Sequence, residues 1–239
     1  MKRIQFLLIG VITVFSIMLT SCWLVESVRG DGRVIEEVRS LDEFDQIEVS
    51  RGMNVHITQG SPQKVLVVAD NNLHEIIRTE VHGHVLKVYA EKNIRDAEEK
   101  KVMITVEKLS GVETSSGANV WSQGKIMSDD MDLHASSGAN LTLELDVKNL
   151  EASCSSGANV KLSGSAIKAE MGASSGANLI GEKLKTNQCK LEASSGSNVS
   201  STVMEKLEAH ASSGGNVFYY GAPTSTDVSS SSGGNIIRK

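Results

Sequence analysis

Large aromatic side chains are scarce in this sequence, at 4% of its 239 residues, whereas glycine occurs 21 times. A conventional core of large side chains is therefore hard to assemble, so the chain is either disordered or built around a narrow, repetitive core. Disordered segments bury too little apolar surface to fold and lack regular apolar spacing. Such spacing is abundant here, which favours the repetitive core.

Strong charge of either sign is also absent, because 24 basic residues face 29 acidic ones and the formal net charge is -5 at pH 7. A nucleic-acid-binding surface needs basic residues that neutralise phosphates. We therefore expect no nucleic-acid partner.

The N-terminus has the pattern of an export signal, with Lys2 and Arg3 before an apolar run from Ile4 to Leu19. The run is shorter than the stretch of about 20 apolar residues that spans a bilayer as a helix. It ends at Leu19-Thr20-Ser21-Cys22, which resembles the lipobox of bacterial lipoproteins, where the cysteine is lipidated. We predict a signal peptide at residues 1–21, then lipidated Cys22 and a tether at 22–43. The expected location is the outer membrane, at the cell surface or on the periplasmic face.

An internal repeat, Ser-Ser-Gly-x-Asn followed by an apolar residue, dominates the rest of the chain. Successive copies are 21, 19, 19, 20, 18 and 19 residues apart. The copies start at Ser115, Ser136, Ser155, Ser174, Ser194, Ser212 and Ser231. A degenerate eighth copy appears when residues 47–55 are aligned with residues 191–199. A fixed period of this length is typical of solenoids.

Each repeat alternates apolar and polar residues over short runs, as half-buried strands do. Leu191 and Ala193, for example, point away from Glu192 and Ser194. We interpret Gly-x-Asn as the turn between strands, since Asn tolerates the left-handed conformation better than most residues. The predicted fold is all-β: a parallel β-helix with coils of about 19 residues, regular at 111–239 and irregular at 44–110.

Stacking places equivalent residues of successive coils above one another, and side-chain amides in such a column can hydrogen-bond along the axis. The predicted asparagine ladder consists of Asn119, Asn140, Asn159, Asn178, Asn198, Asn216 and Asn235. A narrow inner wall is predicted at Ala135, Ala173, Ala193 and Ala211. Cys154 falls in that wall and Cys189 in another inward column two coils on, which predicts two buried thiols without a disulfide.

The repeat lapses between Ile57 and Ser110. Residues 64–69 and 102–106 are predicted as strands, and residues 77–81 and 85–90 as a hairpin across His82-Gly83-His84. The charged stretch 93–100 is predicted as a loop or short helix. This part is interpreted as irregular early coils with a projecting excursion, and a separate small β domain is the alternative.

The segment from Gly32 to Gly60, followed by the Ser-Ser-Gly coils, resembles the head GIN domain of proposed autotransporter adhesins, found in exported proteins of Bacteroidetes. The resembling positions are Gly32, Val34, Phe44, Ile47, Val49, Ser50, Gly52, Val55, Ile57, Gln59 and Gly60. The resemblance implies a right-handed β-helix at the cell envelope, with an adhesive role and no catalytic residues to carry over.

Candidate sites for metals and catalysis are weak. His82 and His84 lack further ligands nearby, and Asp129, Asp130 and Asp132 lack the spacing of a calcium loop. We therefore expect no metal and no cofactor. Polysaccharide-processing β-helix enzymes need clustered carboxylates, but acids do not recur in register in the outward column of Glu113 and Glu192. We expect no enzyme, with such an enzyme as a remote alternative.

Two non-catalytic functions remain. One is an adhesin that binds a glycan or a host or cell-surface protein, with Trp121, Phe218 and Tyr220 as possible ligand contacts; Tyr219 is expected in the core. The other is a structural or assembly protein of the envelope that forms oligomers.

Overall fold

The computed structural model describes residues 27–239. The predicted signal peptide, Cys22 and the start of the tether lie outside these residues. Within residues 27–239, no helix is long and apolar enough to cross a membrane. The strands are β1 Ser27–Arg29, β2 Val34–Arg39, β3 Gln46–Val49, β4 Asn54–Gln59, β5 Lys64–Asp70, β6 Ile77–His82, β7 Val85–Ala90, β8 Asn93–Asp96, β9 Lys100–Val106, β10 Gly111–Thr114, β11 Asn119–Ala135, β12 Asn140–Cys154, β13 Asn159–Ala173, β14 Asn178–Ala193, β15 Asn198–Ala211, β16 Asn216–Tyr220, β17 Ser225–Ser230 and β18 Asn235–Arg238.

The fold is the predicted β-solenoid, with about 7 turns and coils of about 19 residues. Strands β11 to β15 each run through most of one coil and pair in parallel with the next coil. Their register follows the repeat, so that Asn140 pairs with Asn159 and Cys154 with Ala173. The predicted columns are therefore real neighbours along the axis.

The corner of each coil differs from the predicted turn. The left-handed residues are the second serine and the glycine of the motif, as at Ser156 (φ 51°) and Gly157 (φ 72°), whereas Asn159 begins the next strand. The glycine N–H donates to the carbonyl of the equivalent serine one coil on, from Gly157 to Ser175 at 3.1 Å. The asparagine therefore lies beyond the corner, at the start of the strand, and its side chain belongs to the asparagine ladder.

The degenerate copy at residues 47–55 is confirmed as a coil. Arg51 has φ 55° and Gly52 has φ 68°, the same corner as in the regular copies. Ile47 pairs with Val112 and Asn54 with Asn119, in the register that the alignment predicted.

Apart from β8, which forms a separate two-stranded sheet with β1, the strands of the irregular portion share one sheet with the regular coils. The predicted hairpin forms between β6 and β7, and β7 pairs in parallel with β3. Strands β2, β5 and β9 pair antiparallel, and β9 joins the solenoid through β4. A single cluster of buried apolar side chains runs through both portions, which supports early coils over a separate domain.

Two local predictions were wrong. Residues 93–96 form strand β8 instead of a loop or helix, because their backbone pairs in parallel with β1. Residues 27–29 and 34–39, predicted as tether, form β1 and β2, and β2 pairs with β5. Asp70 organises this end: its carboxylate accepts N–H bonds from Gly32, Glu98 and Glu99 at 3.0, 3.3 and 3.0 Å.

The interior is narrow, as the shortage of aromatic residues predicted. Buried alanines form the inner wall, and Ala173 is 6% exposed. A second inward column, two residues before the alanine wall, holds Leu133, Met171 and Leu191, but Ala152 and Ala209 interrupt it. At its far end, on β17, Val228 is 49% exposed.

Candidate binding faces of the solenoid

The asparagine column is a continuous chain of side-chain hydrogen bonds. Each Nδ2 donates to the Oδ1 of the preceding coil, with donor to acceptor distances from 2.8 to 3.2 Å. The chain starts one coil earlier than predicted, because Asn119 donates to Asn54 at 3.0 Å. We call the outward surface next to this column the asparagine face.

The candidate ligand contacts on the asparagine face are far apart. Trp121 and Phe218 share one outward column, but they lie five coil spacings apart, which is about 24 Å at about 4.8 Å per strand. Trp121 stacks on His56, with ring centroids 5.0 Å apart. Lys239 Nζ lies 5.5 Å from the ring centroid of Phe218. The two aromatic residues therefore lie near opposite ends of the asparagine face.

Two tyrosines, Tyr219 and Tyr220, follow Phe218 on β16. Tyr219 packs against the core, as expected. Tyr220 is partly exposed and pairs with Thr202 of the preceding coil. Phe218 and Tyr220 thus present two rings at the end of the solenoid far from the N-terminus.

A groove of about 610 Å³ runs along the axis on the other side of the Ser-Ser-Gly corner. Its lining includes the first serine of five successive motifs and the outward column from His134 to Ser229. We call it the serine groove. Its wall is open at Gly172, where an added Cβ would meet nothing within 4 Å.

Two histidine and serine pairs stand in the serine groove, each joining neighbouring coils. His134 Nδ1 lies 2.8 Å from Ser153 Oγ, and His210 Nδ1 lies 2.6 Å from Ser229 Oγ. Glu208 Oε1 lies 3.1 Å from His210 Nε2. The groove therefore offers hydroxyl, imidazole and carboxylate groups that can exchange hydrogen bonds with a polar ligand.

Carboxylates recur in a column that the sequence reasoning missed, two residues before the column of Glu113 and Glu192. The column contains Asp132, Glu151, Glu170, Lys190, Glu208 and Asp227. Lys190 donates to Glu192 at 2.8 Å, and that hydrogen bond, with the charges of Glu192, Glu170 and Glu208, raises the pKa of Lys190. These acids recur at the repeat spacing of the sequence. The expected lack of acids in register therefore holds only for the column of Glu113 and Glu192.

The two cysteines of the described part are free and buried, in the predicted columns. Burial raises the pKa of the Cys154 thiol to about 12 and, against hydrogen bonds with Thr186 and Ser201, that of Cys189 to about 11. Thiolates are the reactive form, so these cysteines are inert side chains of the core.

Metal-binding geometry is not present in the part of the chain that the structure describes, where no three histidine, cysteine or acidic side chains converge. His82 and His84 are exposed at the hairpin, and His82 Nε2 lies 3.5 Å from Glu80 Oε2. Asp129 pairs with Lys148 at 2.8 Å. Asp129 therefore makes a surface ion pair, and His82 lies beside a surface carboxylate.

Comparisons with known proteins agree with this architecture. The family model described as "Putative auto-transporter adhesin, head GIN domain" matches residues 43–223. A structure of a "putative adhesin" from Bacteroides fragilis NCTC 9343 is similar with a TM-score of 0.82 at 19% identity, covering 89% of this chain and 100% of that one.

Two further structures, both from Parabacteroides, share the fold. One, a "putative adhesin" from Parabacteroides merdae ATCC 43184, has a TM-score of 0.71 at 18% identity and covers 90% of this chain and 99% of its own. The other, a "putative lipid binding protein" from Parabacteroides distasonis ATCC 8503, has a TM-score of 0.69 at 16% identity and covers 89% of this chain and 100% of its own. No curated protein matches the chain.

Proposed function

The chain belongs to the head GIN domain family, and on this basis we propose that it is a cell-envelope lipoprotein with a non-catalytic binding head. Cys22 carries the lipid anchor, and the solenoid binds an extended glycan in the serine groove. The observation that carries the proposal is the groove itself, in which hydroxyl and imidazole groups repeat along the axis.

The chemistry of the groove supports a glycan. Successive rungs present polar groups about 4.8 Å apart, close to the length of one sugar unit in an extended polysaccharide. Ser153 and Ser229 carry hydroxyl groups that both donate and accept hydrogen bonds, as do sugars. The acidic column beside the groove favours a neutral or amino sugar over an acidic one, because like charges repel.

The binding test fills the groove without disturbing the fold. Gly172→Trp projects a large side chain into the open wall, where the structure shows nothing within 4 Å of a new Cβ. Lys161→Trp is the matched control, since Lys161 is exposed on the asparagine face. On a glycan array, we expect Gly172→Trp to abolish binding and Lys161→Trp to retain it.

The aromatic hypothesis from the sequence is the competing location. Phe218→Ala and Tyr220→Ala, assayed beside Trp121→Ala, would abolish glycan binding if the ligand lies on the asparagine face. Glycan binding that survives Gly172→Trp but not these changes would move the site there. Binding by none of the chains, the unmodified protein included, would contradict the glycan proposal.

The anchor and the location need their own test. Labelling cells with a fatty acid analogue should tag the protein through Cys22, and Cys22→Ser should abolish the label. Protease treatment of intact cells should remove a surface-exposed head and spare a periplasmic one. Absence of the lipid label would contradict the lipoprotein assignment.

Assembly is the second candidate function, since β17 pairs only with β15, and β18 only with β16. Each leaves one strand edge without a partner within residues 27–239, and free edges are templates for pairing with another chain. Analytical ultracentrifugation over a range of protein concentrations separates the two functions. Oligomers that form without ligand support assembly, and a constant monomer contradicts it.

A further inference from the structure

Four apolar side chains and His56 form an outward stripe at the end of the solenoid nearest the N-terminus. Val38 pairs with Leu66, Leu66 with Met103, Met103 with His56, and His56 with Trp121, on five neighbouring strands. Four strand spacings give the stripe a length of about 19 Å. Val38 is 58% exposed, and the other four side chains are partly exposed. We call these residues the N-terminal stripe.

The stripe is separate from the core. The neighbours of its members along the strands, such as Val65, Val102 and Val55, are buried on the inner side of the same sheet. Antiparallel sheets with one solvated face normally carry polar residues on that face. A row of Val, Leu, Met and Trp on it is therefore the mark of an interaction surface.

Charge is arranged unequally around the solenoid. Lys64 and Lys101 flank the stripe, where Lys101 Nζ donates to Glu99 Oε2 at 2.7 Å, and Glu36 is the acid beside the stripe on β2. The carboxylates of Asp132, Glu151 and the rest of their column lie beyond the Ser-Ser-Gly corner, on the side of the serine groove. The charges beside the stripe thus balance, whereas the acidic column, which a negatively charged surface would repel, lies on another side of the solenoid.

A second copy of the chain is a poor partner for the exposed edge of β2. If two β2 strands pair antiparallel about their middle with their outer faces aligned, Glu36 meets the Glu36 of its copy or Glu37 meets the Glu37 of its copy. Like charges directly opposite each other destabilise a strand pair. These glutamates protect the edge against pairing.

The short link to the anchor brings a membrane to the stripe. Four residues separate Cys22 from Ser27, the first residue of β1, and the five Cα-to-Cα steps from Cys22 to Ser27 span at most about 18 Å when fully extended. The turn after β1 leads directly into β2, which carries Val38 and also Val34, 40% exposed. Acyl chains on Cys22 therefore hold this end of the solenoid next to the bilayer.

We propose that the N-terminal stripe lies on the surface of the lipid bilayer that holds the anchor, so that the solenoid rests along the membrane. This inference rests on the proposed lipidation of Cys22. Val38, Leu66 and Met103 enter the boundary between headgroups and acyl chains, and Trp121 lies at headgroup depth, where tryptophan is enriched. Lys64 reaches lipid phosphates through its flexible stem. The serine groove, beyond the corner, stays accessible to its glycan.

The test measures the depth of Trp121 in the lipidated, full-length protein. The chain has two tryptophans, Trp23 and Trp121, so Trp23→Phe leaves Trp121 as the single fluorophore. The protein is reconstituted in vesicles of phosphatidylethanolamine and phosphatidylglycerol that contain lipids brominated near the headgroup end of the acyl chain. Flotation of the vesicles on a density gradient reports anchoring independently of the stripe.

The matched control moves the fluorophore across the corner, with Trp23→Phe, Trp121→Phe and Gly172→Trp combined. We expect bromine to quench Trp121 about threefold more strongly than the control tryptophan. Met103→Glu should reduce the quenching of Trp121 toward the control value, with flotation unchanged. Thermal unfolding checks that this variant is folded, and the comparison of the two fluorophores does not depend on it.

Each result decides between the claims. Protein that floats with Trp121 and the control equally quenched, or with neither quenched, overturns membrane docking and leaves the anchor intact. Protein that does not float refutes the anchor, and the inference fails with it. Selective quenching of Trp121 that Met103→Glu removes supports docking through the stripe.

Discussion

Asn119 donates a side-chain hydrogen bond to Asn54 across 65 residues of sequence, at 3.0 Å. This bond joins the regular ladder to the coil that follows β3, on the far side of the irregular segment. The excursion at residues 57–110 is therefore inserted within the stack, which continues through it. The ladder consequently couples the stability of both portions, as nearest-neighbour contacts do in solenoids.

The ladder predicts a position-dependent cost of asparagine removal. Asn159 donates to Asn140 at 3.2 Å and accepts from Asn178 at 3.0 Å, so Asn159→Ala removes two bonds. We expect the free energy of unfolding in urea to fall by about 1 to 2 kcal/mol. Asn235→Ala, which removes one ladder bond at the end of the chain, is the control and should cost less. Equal effects would show that the ladder does not contribute per bond.

The alanine wall predicts that added volume destabilises the core. Ala173 is 6% exposed, so Ala173→Leu forces a larger side chain into a closely packed wall. Overpacking of this kind lowers the free energy of unfolding by about 1 to 3 kcal/mol. Gly172→Ala is the control on the outer side of the same strand, where a Cβ has open space. Thermal unfolding should separate the two variants. Unchanged stability of Ala173→Leu would mean that the wall yields more easily than its packing indicates.

The buried thiols predict a loss of stability at alkaline pH. In the folded state their pKa values are raised from 9.0 to about 12 for Cys154 and about 11 for Cys189. Above pH 9 the unfolded chain therefore binds fewer protons than the folded one, and stability falls as the pH rises through the folded pKa. Denaturant unfolding across this range should show the decline. A double variant, Cys154→Ala with Cys189→Ala, should show a smaller one, and equal slopes would contradict the assignment.

Asp70 predicts a contribution with the opposite pH dependence. Burial of Asp70 raises its pKa, but backbone N–H bonds from Glu99, Gly32 and Glu98 outweigh it and lower the pKa below 3.8. The carboxylate therefore stabilises the fold above pH 3.8, and this contribution is lost as the pH falls through the folded pKa. We expect Asp70→Asn to cost about 1 to 3 kcal/mol at neutral pH.

The check is urea unfolding of Asp70→Asn and the unmodified protein at neutral and acidic pH. The difference between the two proteins should shrink as the pH falls from 3.8 through the folded pKa of Asp70, below which both side chains are uncharged. Glu151→Gln, a change on the exposed acidic column, serves as the control and should have little effect on stability at neutral pH. A difference between Asp70→Asn and the unmodified protein that does not change with pH would contradict a role for the charge.

Most of the fold could be predicted from the repeat, because the same local sequence pattern recurs in every coil. Alternating polarity identified the inward columns, and the near-constant spacing placed Cys154 beside Ala173. The same spacing also aligns Asp132 with Glu151, in a column two residues before the column of Glu113. The acidic column could therefore have been predicted from the sequence. The left-handed pair Ser156 and Gly157 was misassigned because the sequence does not show where the strand resumes.

The sequence by itself determined the period, the register and the thin core, since these follow from interactions between equivalent residues of adjacent coils. Only the tertiary structure decided how the irregular part is arranged, because β2, β5 and β9 pair antiparallel across distances that no local pattern encodes. That pairing, together with the parallel pairing of β4 with β9 and β11, brings Val38, Leu66, Met103, His56 and Trp121 into one row. The same is true of the serine groove, whose open wall at Gly172 depends on what the neighbouring coils leave empty.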